Sequence, residues 1–169
     1  MKKTKIMFLD IDGVLATNKQ FGMNVKKFRE KNEWAMNNNV PYPFDTKCVD
    51  IFNEILEETN AEIILSSDWK LHWDLIKMDL IFKKNNLIRS PRMMTKNDSI
   101  SFGNITKNRV HEIELFLKDF EFVNYVIIDD LPLENYLKDP KKFVKTIDSE
   151  GLKQKSIKNK IIEILNNNG

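Results

Sequence analysis

Two carboxylates one residue apart, Asp10 and Asp12, stand where the unbroken apolar run Ile6-Met7-Phe8-Leu9 must end, and Gly13-Val14-Leu15 follows at once. The run has the pattern of a parallel strand buried on both faces. Acids at the end of such a strand are costly unless a cation or a reaction uses them. Gly13 lets the backbone turn sharply or approach a ligand closely. An ordinary polar turn also favours Asp and Gly, so the pair alone does not exclude one. An EF-hand loop is excluded, because Gly13 comes too early after Asp10 and a strand rather than a helix precedes it.

The same arrangement recurs twice. Ala61-Glu62-Ile63-Ile64-Leu65 is an apolar run that ends at Ser66-Ser67-Asp68, and Phe122 to Ile128 is another that ends at Asp129-Asp130. Taken singly, the serines read as a helix cap and the second acid pair as a polar strand end. Taken together they place polar groups on three strand ends. In an open parallel sheet, ligands sit outside those carboxyl ends. If the strands are neighbours, four carboxylates and two hydroxyls converge, and like charges cannot crowd there without something positive between them. A hard divalent cation with oxygen ligands answers this, and Mg²⁺ is usual where phosphate is also bound.

The elements that must hold these groups alternate. Residues 46–59 have an amphipathic helical pattern with Cys48, Val49, Phe52, Ile55 and Leu56 on one stripe, and Asn60 is a stop. Further helical patterns run from Trp69 to about Lys84 (Trp73, Ile76, Leu80 and Ile81 near one face), from Thr106 to about Phe120 (Val110, Ile113, Leu117, Phe120) and from Lys155 to Asn166 (Ile157, Ile161, Ile162, Leu165). Residues 85–105 and 131–142 read as irregular, and Phe143 to Ile147 as one more short strand. Residues 16–45 lack a clean period but carry Phe21, Met23, Phe28, Trp34 and Met36, and the reading is a small cap or lid inserted beside the first strand's mouth. Strands alternating with helices predict an α/β fold: a three-layer, doubly wound, Rossmann-like and mostly parallel sheet, in a single domain over residues 1–169.

Composition narrows the class. The chain has 169 residues, 41% hydrophobic and 31% charged, with net charge +2. That is the make-up of a soluble globular domain, and its charge is too small to imply nucleic-acid or membrane binding by itself. No apolar run approaches the ~20 residues that span a bilayer. The basic start Met1-Lys2-Lys3-Thr4-Lys5 precedes too short a run, without a cleavage site, for a signal peptide. The single cysteine, Cys48, excludes an internal disulfide and reads as a small buried hydrophobe. The expectation is a cytoplasmic protein with no membrane contact and no evident obligate protein partner.

The apolar run closed by Asp10-Ile11-Asp12-Gly13-Val14-Leu15 resembles the first motif of the haloacid dehalogenase (HAD) superfamily of phosphotransferases. Ile63-Ile64-Leu65-Ser66 resembles its second motif and Val126-Ile127-Ile128-Asp129-Asp130 its fourth. For the third, a cation at the start of the preceding helix, both Lys107 and Arg109 are placed. Ser66-Ser67-Asp68-Trp69-Lys70 and Arg109 to Leu117 resemble the small HAD domains of RNA-repair and polynucleotide kinase-phosphatase proteins. The resemblance implies a Mg²⁺-dependent phosphomonoester hydrolase. Asp10 would be the nucleophile forming an aspartyl-phosphate and Asp12 the acid–base group. Mg²⁺ would be held by Asp10, the Asp12 carbonyl, Asp129 and Asp130, and the phosphoryl oxygens by Ser66, Ser67 and Lys107 or Arg109. An acid at position 12 favours phosphatase over dehalogenase chemistry. The implied substrate is a phosphorylated small molecule or a nucleotide or nucleic-acid end. A non-catalytic module binding phosphate ends or a protein is the competing class, and a receiver domain phosphorylated on Asp fits the Asp12-Gly13-Val14-Leu15 pattern poorly.

Other residues have plainer readings. His72 and His111 lack a partner ligand at useful spacing, and Trp69 and Trp73 read as core or cap rather than base-stacking platforms. Lys83, Lys84, Arg89, Arg92 and Lys96 read as solvated surface or as a channel for a polyanion. Asp148 has no role in any of these readings.

Overall fold

The computed structural model describes residues 4–97, 102–122 and 124–167. Met1, Lys2, Lys3 and Val123, which enter the readings above, lie outside the described residues. Among the described residues five strands form one sheet: β1 (Lys5–Leu9), β2 (Glu62–Leu65), β3 (Met93–Met94), β4 (Asn124–Asp129) and β5 (Phe143–Lys145). Their order is β3-β2-β1-β4-β5, and every pairing is parallel. β1 therefore lies at the centre, flanked by the two other strands expected to end in polar groups.

Alternation along the strands divides the core into two layers. Met7, Leu9, Ile63, Leu65, Val126 and Ile128 belong to the cluster that packs on α4 (Thr46–Thr59), α5 (Leu75–Lys84) and α7 (Ile157–Asn166). Ile6, Phe8, Ile64 and Ile127 face α6 (Ile105–Asp119) through Val110, Ile113 and Phe116. Phe8 is fully buried and meets Phe116 edge-on at 5.4 Å. Burying such a ring contributes on the order of 2–3 kcal/mol. The three-layer α/β arrangement is the expected one.

α4 has the expected bounds and buries the whole expected stripe. Asp45 caps it, accepting from the amides of Lys47 and Cys48, and Asn60 ends it in the left-handed region at φ 53°. The expected helix from Trp69 to Lys84 is two elements. Ser67 caps a single 3₁₀ turn, Asp68–Leu71, and Asp74 caps a fresh start at Leu75 by accepting from Lys77 N. Short polar side chains that bond to nearby amides break a helix there. The buried stripe of α5 is Met78, Ile81 and Phe82, whereas Ile76 and Leu80 are exposed. In α6 Phe116, not Phe120, completes the buried face. β3 falls inside the segment read as irregular, because a two-residue edge strand carries no period, and 3₁₀ turns occupy Leu133–Asn135 and Pro140–Lys142 in the segment read as loop.

The segment before α4 folds as α1 (Asn18–Phe21), α2 (Val25–Glu30) and α3 (Glu33–Asn37). Phe21, Phe28, Trp34 and Tyr42 pack against the larger core cluster. Among the described residues, no helix is long and apolar enough to cross a membrane.

Asp45 also receives Lys153 Nζ at 2.6 Å, tying the start of α4 to the chain after β5. Burial raises the Asp45 carboxyl, but Lys153 and the helix amides outweigh it and hold it below the usual carboxylate range. A depressed carboxyl stabilises above the unfolded value and loses that contribution as pH falls through the folded one. Asp45→Ala is thus expected to cost about 1–2 kcal/mol at pH 7. Urea unfolding at several pH values should show the gap from wild type closing below about pH 4.

Candidate active site

The register fixes the site. Leu9 pairs with Leu65 on one side and with Ile128 on the other, so Asp10, Ser66 and Asp129 follow at the same level on three adjacent strands. The ladders continue past the strand ends, with Asp10 N donating to Ile128 O at 3.0 Å and Ser66 N to Leu9 O at 2.9 Å. The backbone thus holds the three residues side by side.

Asp10 and Asp129 are buried, at 5% and 1% exposure. With the half-buried Asp130 they form a group whose carboxylate oxygens lie within 4.8 Å of one another. Gly13, at φ 72°, makes room for it: a Cβ there would stand 2.5 Å from Asp130 Oδ2. Thr146 holds that turn by donating from Oγ1 to Gly13 O at 2.8 Å.

Crowding shows in the acidities. Burial, against the pull of Arg109 and Ser67, raises the Asp10 carboxyl. Burial and then Asp10 raise Asp129 well above the ordinary range, and the same two causes push Asp130 up to about 6. Asp12 is raised by burial while hydrogen bonds lower it. Carboxylates so placed favour a bound cation, and an all-oxygen donor set suits hard Mg²⁺. The residues present fit that ion.

Arg109 is the cation already in place, at 4% exposure. Its Nη1 donates to Ser66 O at 2.5 Å and to Asp129 Oδ2 at 2.7 Å and lies 3.3 Å from Asp10 Oδ1, while Nη2 donates to Asp68 Oδ1 at 3.0 Å. Burial works against its charge, but Asp10, Asp129 and Asp68 hold it more firmly protonated than usual. Lys107 is exposed, with its Nζ over the Tyr136 ring at 5.5 Å. Two positions along a helix are about 200° of rotation. Arg109 shares the buried stripe of α6 with Thr106, Val110 and Ile113, and Lys107 cannot.

The serines differ. The Ser67 hydroxyl works to lower the Asp10 carboxyl, and Ser67 caps the turn that follows. Ser66 Oγ is buried and has no hydrogen-bond partner among the described residues. The Asp12 carboxylate is not in the three-acid group: Oδ1 accepts from Tyr42 Oη at 2.6 Å and Oδ2 from Trp69 Nε1 at 3.1 Å. Its expected metal contact is its backbone carbonyl. Tyr42 carries no sequence signal, being a lone aromatic between prolines 30 residues from its partner. Trp69 is core, as read, but the polar edge of its ring was not foreseen. Asp68, the exposed partner of Arg109, was missed because it stands one residue beyond the paired serines. Lys70 was noted only for its place in the motif; it is paired with Glu112 and bonded to Thr95.

The basic stretch is largely paired. Lys83 meets Asp79, Lys84 the Trp34 ring, Arg92 Glu62, and Lys96 Asp119. Arg89 bonds to Asn60 and Ala61, so it and Arg92 lie at the amino end of β2, away from the site. A cavity of about 730 Å³, lined by Ile6, Ile64, Phe116 and Phe120, also lies by the sheet's amino end and contains none of the site acids. His72 is exposed against Trp73, His111 packs on Phe102, and Cys48 is buried. Asp148 is exposed, and its charge adds to the rise at Asp130.

A parallel α/β sheet with a buried acid pair and Ser on adjoining strand ends, spanned by one arginine, is a HAD-like arrangement. The chain matches the family described as "HAD domain in Swiss Army Knife RNA repair proteins" over residues 6–157, and it belongs to that family. No curated protein and no solved structure matches it.

Removing the arginine leaves buried acids without their cation, which typically costs about 3–5 kcal/mol. Arg109→Met is expected to be destabilised to that degree in EDTA. Millimolar Mg²⁺ should restore part of the loss by binding only the folded state. Urea unfolding of the variant with and without Mg²⁺ measures both effects.

Proposed function

We propose that the protein is a Mg²⁺-dependent phosphomonoesterase that works through an aspartyl-phosphate on Asp10. The observation that carries this reading is the alignment of Asp10, Ser66 and Asp129 on adjacent strand ends, with Arg109 joining all three. Asp10, Asp129 and Asp130, with the Asp12 carbonyl, would hold Mg²⁺. When bound, the ion supplies positive charge that lets an anionic nucleophile meet an anionic phosphate.

The chain's own groups account for the proton and bond changes. An Asp10 carboxylate oxygen bonds to phosphorus as the ester P–O bond breaks, and Asp12 gives its proton to the departing oxygen. Asp12 then takes a proton from water, whose oxygen bonds to phosphorus as the Asp10–phosphorus bond breaks. Ser66 and Ser67 would donate to phosphoryl oxygens and Arg109 balance their charge. The buried Ser66 hydroxyl without a partner suits that duty.

The RNA-repair description of the family supports a nucleotide or polynucleotide end as substrate. Residues 16–45 would be a small cap on a single domain spanning the chain, leaving room for a large substrate. The buried free thiol of Cys48 fits the reducing cytoplasm.

Phosphate release from p-nitrophenyl phosphate is expected with Mg²⁺ and not with EDTA. Asp10→Asn should abolish it, and Asp12→Asn should slow it about 10²-fold or more. A panel of nucleotides and of 3′- and 5′-phosphorylated oligonucleotides then ranks substrates. Folded, Mg²⁺-loaded protein inert to the whole panel would instead support the phosphate-binding module.

A further inference from the structure

Asp12 is fixed by two donors of different kinds. Trp69 Nε1 can only donate, so Oδ2 is committed as an acceptor. Oδ1 is left as the oxygen through which a proton can be exchanged, and it faces the Tyr42 hydroxyl at 2.6 Å. A phenol both donates and accepts, so Tyr42 can hold that oxygen whether or not it carries the proton.

Tyr42 is itself held from several sides. Its ring packs on Phe21 at 5.4 Å and on Trp69 at 5.8 Å. Pro43 restricts the residue before it to extended backbone. The strap that carries it is anchored at both ends. Asn38 O accepts from Trp73 Nε1 at 3.3 Å and Asn38 Oδ1 from Lys77 Nζ at 2.5 Å, and Phe44 N donates to Asn85 Oδ1 at 2.8 Å. A phenylalanine would fill the same ring space.

We propose that Tyr42 is a positioning residue that aims Asp12 Oδ1 at the departing oxygen, which makes the segment between α3 and α4 part of the acid–base apparatus. This inference rests on the phosphatase reading of the site and on Asp12 as its acid–base group. Tyr42 acts through Asp12 and takes no bond-making step: the proton leaves Asp12 for the ester oxygen as the P–O bond breaks, and the tyrosine hydroxyl keeps the donor in line.

The test compares phenyl phosphate with p-nitrophenyl phosphate, which share a shape but differ in how much their leaving oxygen needs a proton. With Mg²⁺, Tyr42→Phe is expected to lower kcat/KM, which reports the step that expels the leaving group and not the later hydrolysis common to both esters, about tenfold for phenyl phosphate and less than about threefold for p-nitrophenyl phosphate. In an Asp12→Asn background the Tyr42→Phe change should add no further loss. An unchanged wild-type melting profile in Tyr42→Phe confirms that the rings still pack. Equal losses of kcat/KM on both substrates, or an additive loss with Asp12→Asn, would overturn the inference while leaving the phosphatase reading in place. Wild-type protein inert toward both phosphates would overturn that reading and this inference together.

Discussion

Everything at the carboxyl end of this sheet depends on how one guanidinium is shared. Arg109 reaches Asp10, Asp129, Asp68 and the Ser66 carbonyl from a single buried position. It offers five donors in a rigid plane, which a lysine ammonium cannot reproduce. Without it the first and fourth strand-end acids would face each other across a few ångströms in a poorly solvated space. With it they are still crowded enough that their carboxyls sit above the ordinary range. The fold tolerates negative charge in excess of what Arg109 balances. That imbalance is what a divalent cation would offset.

The division of labour between Asp10 and Asp12 follows from their surroundings. Asp10 is buried on the ladder between two strands and answers to Arg109 and Ser67. Asp12 lies two residues on, beyond the ladder, and answers to Tyr42 and Trp69. Two carboxylates in one short motif are thus given different partners and, in the proposed reaction, different duties. Gly13 and Thr146 allow this, since the turn passes close against Asp130 where a Cβ would clash and Thr146 holds it there.

Much of this was legible in the residues. Continuous apolar runs ending in acids or serines are a strong signal because a parallel strand buried on both faces has no other place for polar groups. α4 was legible to the residue, since Cys48, Val49, Phe52, Ile55 and Leu56 repeat at helical spacing and Asn60 stops them. The helix expected from Trp69 was not, because Ser67 and Asp74 bond to local amides and the exposed Ile76 and Leu80 imitate a buried stripe. The choice between Lys107 and Arg109 was open on motif spacing, and the buried face of α6, which holds Arg109 and turns Lys107 outward, decides it. Tyr42 was hidden for a different reason. Its partner is distant in sequence, and no periodic pattern connects a strap residue to the acid it serves.

The central claim is that Asp10 is the oxygen nucleophile of a Mg²⁺-dependent phosphoryl site. Fluoroberyllate tests it most directly, because the tetrahedral BeF₃ group bonds to a carboxylate oxygen and stands in for the phosphoryl group of an aspartyl-phosphate. Fluorine NMR of the protein with beryllium and fluoride should show a protein-bound resonance that requires Mg²⁺ and vanishes in Asp10→Asn. A bound resonance that persists in Asp10→Asn, or no bound resonance in folded wild-type protein with Mg²⁺, would contradict the account.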